Sequence, residues 1–358
     1  MRPRLKPALR RVWRDHQTLQ IGLDPDNAVV VTGLDPALRK IVDNLTGRRT
    51  EEALLAQARA HGVTDTRARR LLRILADAGA LDDGDVDGTV LCGLEPTERQ
   101  RLMPDLAARS LVSKSPDGGT GTLARRRRAR LAVHGAGRIG ASIATLLGAA
   151  GVGTVLVADP TKTRPGDLAP AGLGPVDVGR PRAAGVRRAV TAFTSSTTVS
   201  VVGESTPLRP HVAVLAPDDE PDRMLADALV RAGIPHLVVR MRDARAIVGP
   251  FVLPGKSSCV RCHDMHRAAR DPAWPRVLAQ LLGAPHHAPA CDVVLATMTA
   301  AYASLHVLAF LDGMRPPSVD ATLEIDLPFG SVRRRTWSAH PACGCQWDPE
   351  PRPSAIAA

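Results

Sequence analysis

Residues 131–140 read Leu131-Ala132-Val133-His134-Gly135-Ala136-Gly137-Arg138-Ile139-Gly140, and this stretch decides the fold. A short apolar run, four residues from Leu131, suits a buried strand. The G-x-G-x-x-G turn after it leads into the apolar helical pattern of Ile139–Ala150. Gly135 permits the tight turn, Gly137 lets backbone N–H groups approach a phosphate, and Gly140 lets the helix pack closely on the sheet. A second apolar run, Thr154–Ala158, ends at Asp159, about where a carboxylate grips ribose hydroxyls. The combination predicts a nucleotide-binding turn, with a packing turn that binds nothing as the plain alternative. It does not separate a nicotinamide cofactor from ATP.

Outward from this turn the chain alternates strand and helix patterns. Val212–Ala216 and His236–Val239 read as strands around a helix over Asp222–Ala232, which argues for a parallel sheet. Asp292–Leu311 reads as a long helix, apolar on nearly every side, with Val294, Leu295, Met298, Tyr302, Leu305 and Leu308 along it. Such a helix belongs in a core or a dimer interface. Thr322–Asp326 and Ser331–Trp337 read as a hairpin around Pro328-Phe329-Gly330.

Two close cysteine pairs, Cys259-Val260-Arg261-Cys262 and Cys343-Gly344-Cys345, lie far apart in the sequence. Two short chelating bites that meet in space make a closed thiolate site for structural zinc. His340 is an alternative donor for one sulfur, and a redox C-x-x-C lacks a thioredoxin-like setting. Cys92 and Cys291 are single. Cys291 sits where a helix begins and a dipole lowers a thiol pKa, but the simpler reading is a buried structural cysteine.

The first 90 residues differ in pattern. Gln17–Leu23 and Ala28–Leu34 alternate around Asp24-Pro25-Asp26-Asn27 as a hairpin. Asp35-Pro36 caps a helix with Leu38, Ile41, Val42 and Leu45 on one face. Thr50 caps a second helix with Leu54 and Leu55, and a third starts near Thr64 and carries Leu71, Leu72, Ile74 and Leu75. Strands followed by three short helices give the winged-helix order. Residues 91–129 read as a weakly patterned connector, with Arg125–Arg128 as a solvated lead-in to the next strand. Residues 348–358, rich in Pro, Ser and Ala, read as a disordered tail.

The chain has 358 residues, a net charge of +11 and only 3% aromatic residues. Its basicity is almost all arginine, since only Lys6, Lys40, Lys114, Lys162 and Lys256 are lysines. Without aromatics between the charges there is no base-stacking platform, so the charge does not indicate a nucleic-acid surface. No run reaches the roughly 18 continuous apolar residues of a membrane span. The start, Met1-Arg2-Pro3-Arg4, lacks a secretory pattern. With clustered cysteines, this reads as a cytoplasmic protein.

Together the stretches Gly135–Gly140, Gly151–Asp159 and the two cysteine pairs resemble the ThiF/MoeB-like, ubiquitin-activating superfamily over residues 130–347. The segment Leu34–Leu55 is similar to the winged-helix modules that read leader peptides in ribosomal-peptide pathways. Joined, they resemble the leader-binding ThiF-like partner protein of thiazole/oxazole (cyclodehydratase) clusters. The expected fold is therefore α/β: a Rossmann-like, mainly parallel sheet with a zinc site, preceded by a small α+β winged-helix domain.

The resemblance implies an ATP site of Gly135, Gly137, Arg138, Gly140, Asp159, Arg182 and Asp218, with Asp159 on the ribose and Asp218 linked to magnesium. Arg182 stands where the family has a lysine near the phosphates. The family's phosphate-contacting Asn and Arg are replaced in Asp167-Leu168-Ala169-Pro170, and no transfer cysteine is matched. Adenylation needs cations aimed at the α-phosphate, so binding can outlast chemistry. The expected partners are a precursor peptide or small carrier protein, a cyclodehydratase and a second copy of the chain.

Two functions compete on this basis: a scaffold that presents a precursor peptide, and an adenylyltransferase that activates a C-terminal carboxylate. A nicotinamide oxidoreductase rests on the glycine turn alone. A winged-helix DNA regulator rests on the charge and the first 90 residues.

Overall fold

The computed structural model describes residues 1–85, 89–202, 209–283 and 290–347, so the expected tail over 348–358 lies outside the described residues. The chain divides into two compact units at Ala124/Arg125.

In the first unit, β1 (Pro3–Leu5) pairs antiparallel with β5 (Leu81–Asp83), and β2 (Arg11–Trp13), β3 (Leu19–Ile21) and β4 (Val29–Val31) form an antiparallel sheet in that order. The β3–β4 hairpin is the one the Asp24–Asn27 turn predicts, and β2 adds a strand too short to carry a pattern. Three helices follow: α1 (Pro36–Asp43), α2 (Glu51–Ala60) and α3 (Asp65–Asp77). Each is capped as the sequence implies, with Asp35, Thr50 and Thr64 accepting from backbone N–H groups in the first turn. Their apolar faces close one core with Leu19, Ile21 and Leu34. Ile74 is the exception on α3 and is exposed.

The stretch expected as a connector is largely helical: α4 (Thr89–Cys92), α5 (Pro96–Ser113) and α6 (Thr120–Arg128). Leu94, Leu102, Leu106 and Leu123 form its small core. So few apolar residues, with Pro104 inside α5, leave little helical periodicity to read. The arginine run is not a solvated lead-in either. Arg126 is buried and binds the Asp312 carboxylate through Nε (2.8 Å) and Nη2 (2.6 Å).

The second unit is built on one eight-stranded sheet. Its elements in chain order are β6 (Arg130–His134), α7 (Arg138–Ala149), β7 (Thr154–Ala158), α8 (Arg182–Thr191), β8 (Thr198–Val201), β9 (Val212–Leu215), α9 (Arg223–Arg231), β10 (His236–Arg242), β11 (Arg245–Val252), α10 (Val260–Arg270), α11 (Trp274–Gly283), α12 (Val293–Leu311), β12 (Ala321–Asp326) and β13 (Ser331–Thr336). The strand order is β13-β12-β11-β10-β9-β6-β7-β8. The five strands from β10 to β8 run parallel, and β11, β12 and β13 form an antiparallel meander. The chain goes outward from β6 through β7 to β8, then returns to β9 on the other side. Such a reversal opens a crevice at the carboxyl ends of the strands, where α/β sheets bind ligands.

Of the described helices, α12 is long and apolar enough to cross a membrane. One flank of it packs through Ala296, Ala300, Ala303 and Val307 into the main core, while Val294 and Leu305 are exposed. It is a core helix with an apolar outer flank.

Candidate functional site

The glycine turn lies at the reversal point. Gly135 has φ +87°, and a Cβ there would run into the Ala216 backbone. A Cβ at Gly140 would collide with the Gly135 carbonyl, so the start of α7 can sit this close to the turn only with glycine at both places. Gly137 is the N-cap of α7 and offers no side-chain cap to the first-turn N–H groups. An anion can take those donors. Arg138 turns away and donates from Nη1 to the Cys291 carbonyl (2.6 Å).

Three carboxylates converge beside this turn. Asp159, after β7, accepts from Ala136 N (2.6 Å), Thr161 N (2.8 Å) and Thr161 Oγ1 (2.6 Å). Burial works to raise its carboxyl, but these hydrogen bonds and Arg182 outweigh it and hold it below the usual carboxylate range. Arg182, at the start of α8, is 2% exposed and spans all three acids. Its Nε and Nη2 bind Asp167 (2.9 and 2.6 Å), Nη2 binds Asp218 (2.8 Å), and Nη1 binds Asp159 (3.2 Å). Burial opposes its charge, but Asp218 and Asp167 outweigh that and raise its pKa further. The exposed Arg164 reaches the same Asp218 oxygen at 2.6 Å.

The seven residues expected around a nucleotide thus fall in one region, with Arg182 committed to carboxylates and Arg138 to a carbonyl. Sequence reading missed Arg164 and the role of Asp167. The only signal for either was their place in the Asp159–Arg182 crossover, which has no periodicity.

The four cysteines meet at the other functional centre of this unit. Cys259 is the N-cap of α10, Cys262 is in its first turn, and Cys343 and Cys345 follow β13. Their sulfurs all lie within 4.8 Å of one another. Cys259–Cys343, Cys262–Cys345 and Cys259–Cys262 are 3.5, 3.3 and 3.8 Å apart. Disulfides need about 2.05 Å, whereas a tetrahedral ion with 2.3 Å metal–sulfur bonds spaces its sulfurs by about 3.8 Å. The cluster fits a metal ion.

Burial and the neighbouring thiols raise Cys259, Cys343 and Cys345, and the hydrogen bond from Cys259 lowers Cys262. Ionising all four sulfurs together would need a cation between them. The expected alternative donor His340 does not join. Its backbone N–H donates to Cys262 Sγ (3.3 Å), and its ring Nδ1 accepts from Ala342 N (3.2 Å). Cys291 precedes Asp292, the N-cap of α12, and burial raises its thiol pKa, opposite to the lowering expected of a helix start.

A model of the ThiF family matches residues 111–346. No curated relative matches the sequence. Among solved structures, E. coli MccB with succinimide is 15% identical and aligns over 97% of this chain and 100% of its own, with a TM-score of 0.71. E. coli MccB with ATP aligns over the same shares at 15% identity and a TM-score of 0.70. PaaA is 16% identical over 92% of this chain and 99% of its own, with a TM-score of 0.68. At these identities the likeness is one of fold, and it agrees with the mainly parallel sheet described above.

Proposed function

The chain belongs to the ThiF family, and from that premise we propose that it is an ATP-binding scaffold that captures a precursor peptide and presents it to a modifying cyclodehydratase. Residues 130–347 are the nucleotide-binding domain in this reading, and residues 1–90 a winged-helix-like module that takes the leader as an added strand on its small sheet. The cysteine cluster would hold zinc and fix the sheet, with no part in a chemical step. One observation carries the reading: Arg182 is spent on three carboxylates while position 170 is proline. The cradle can seat a nucleotide on the α7 N-terminus and Asp159, and Asp218 can hold magnesium. Among the described residues it lacks a buried cation free to meet charge developing on an α-phosphate.

Adenylation of a C-terminal carboxylate is the second reading. It is favoured by the exposed Arg164, which needs only to leave Asp218 to reach a phosphate. Among the similar folds, MccB has been solved with ATP and with N-formylated MccA. A homodimer, with the exposed flank of α12 at its interface, fits either reading.

Calorimetry with ATP and magnesium should show saturable binding that Asp159→Asn weakens by about tenfold or more, as for loss of a charged hydrogen-bond acceptor. Labelled short peptides encoded beside the gene should bind the full chain. If none does, the scaffold reading fails. Carboxylate-dependent pyrophosphate exchange should be flat; a clear signal would put the adenylyltransferase in its place.

A further inference from the structure

Away from the cradle, one cluster in the second unit holds more guanidiniums than carboxylates. Glu220 accepts from Arg223 Nη2 and Arg240 Nη1, each at 3.2 Å, and from Arg242. Asp264 accepts from Arg223 Nε (2.8 Å) and has Arg267 Nη1 at 3.7 Å. Four guanidiniums therefore share two carboxylates. Among the described residues, buried Arg240 Nε and Arg267 Nη1 have no hydrogen-bond partner, which is costly for charged donors. Burial pushes Arg240 down to about 9 and Arg267 down to about 10.

A cavity of about 530 Å³ opens beside this surplus, lined by Arg242, Arg245, Arg267 and Arg335. That size is ordinary for a ligand site. Trp274 and Trp337 lie within 5.0 and 5.4 Å of the Arg267 guanidinium, fixing its plane. The cavity sits at the carboxyl end of β10. Strand β10 is parallel to β9, which pairs with β6, and runs on past the level of His134, so the cavity lies beyond the same end of the sheet as the glycine turn. The short segment from Asp218 to Glu220 joins the two sites.

We propose that this cavity is a carboxylate-binding subsite, gripping an acidic side chain of the acceptor peptide while another part of that peptide lies at the glycine turn. The inference rests on the reading that a peptide is handled there. Guanidiniums held flat by indole rings suit a planar carboxylate, which they can bind in a bidentate fashion. Asp243, Glu324 and Asp326 also line the cavity, and they disfavour a phosphate dianion more than a monoanion.

The test uses the full chain and its own tryptophan fluorescence, since Trp274 and Trp337 flank Arg267. N-acetyl-triglutamate amide should change the emission saturably, and N-acetyl-triglutamine amide should not. Arg267→Gln should weaken triglutamate binding at least tenfold, and Arg335→Gln, at a half-exposed rim position, about threefold. The rim variant keeps the test open if Arg267→Gln does not fold. Equal binding of triglutamine, unchanged affinity in the folded variants, or displacement by an equal concentration of inorganic phosphate would overturn the proposal. ATP affinity, measured in parallel, should be unaltered in both variants. Loss of ATP binding with triglutamate binding intact would sink the functional reading alone, and the reverse result would sink the subsite alone.

Discussion

The parallel and antiparallel halves of the large sheet are held together in different ways. Strand β9 is buried along its whole length, and β6 is buried through its middle three residues, as expected for strands covered on both faces. Strand β13 is exposed at every residue. What ties it is discrete: Arg333 and Arg335 bind the buried Glu324 at 2.5 and 3.5 Å, and just beyond it Cys343 and Cys345 reach the cysteines of α10. The parallel half thus draws on distributed apolar burial and concentrates its polar contacts in the cradle. Strands β11 and β12 share that core burial, and β13 depends on a few tethers, each carrying a larger share.

Breaking the strongest tether should free β13 first. Cys262→Ser, or removal of the metal by a chelator, is expected to lower the unfolding free energy by about 5 kcal/mol, the range associated with losing a structural metal. Hydrogen exchange should rise in β12, β13 and α10 before β6, β7 and β9. Metal analysis is the direct check. Reduced protein that contains no stoichiometric zinc, or a serine variant as stable as the parent, would remove this side of the contrast.

The matching perturbation in the parallel half is Arg182→Met. It would strand Asp159, Asp167 and Asp218 around a vanished cation, and removing one partner from a buried ionic group costs about 4 kcal/mol. Urea unfolding of the variant should show that loss, and adding Asp218→Asn should recover part of it. An unaltered midpoint in the single variant would mean that the three acids are already neutralised by something else.

How legible each half was follows from the same physics. The glycine turn, Asp159, the cysteine pairs and the caps at Asp35, Thr50 and Thr64 were readable because each depends on local residue type at short spacing. Strand β11 was missed because its Arg245 start and Gly249-Pro250 interruption hide the apolar run Ala246–Val248 and Phe251-Val252. The arginine network was invisible for a different reason. Glu220 precedes α9, Arg240 is on β10, and Asp264 and Arg267 lie one turn apart on α10, so no single sequence period relates the three segments. The charge excess of the whole chain was plain, but its concentration around one cavity was not. Nor could the sequence say that Arg182 faces carboxylates instead of open space, since that depends on the crossover folding back over Asp167.

The smallest expected effect lies at the seam, on β10, which pairs with β9 on one side and β11 on the other. Burial holds the His236 imidazole down to about 4. Its Nδ1 lies 3.0 Å from the Ile234 carbonyl, and its buried Nε2 has no partner among the described residues. The native state therefore keeps this ring neutral, while in the unfolded chain it takes up a proton near pH 6.5. Between those values the unfolded state binds more protons, so stability is full above about 6.5 and falls as pH drops toward 4, by about 3 kcal/mol for a shift of that size. Unfolding free energies measured across this window should show the slope, and His236→Leu should flatten it. A slope that survives the substitution would move the effect to another buried imidazole, His306 on α12, which burial also holds near 4, or His263 on α10, which burial holds well below its ordinary value. In that case the acid sensitivity belongs to a helix and not to the seam between the two halves.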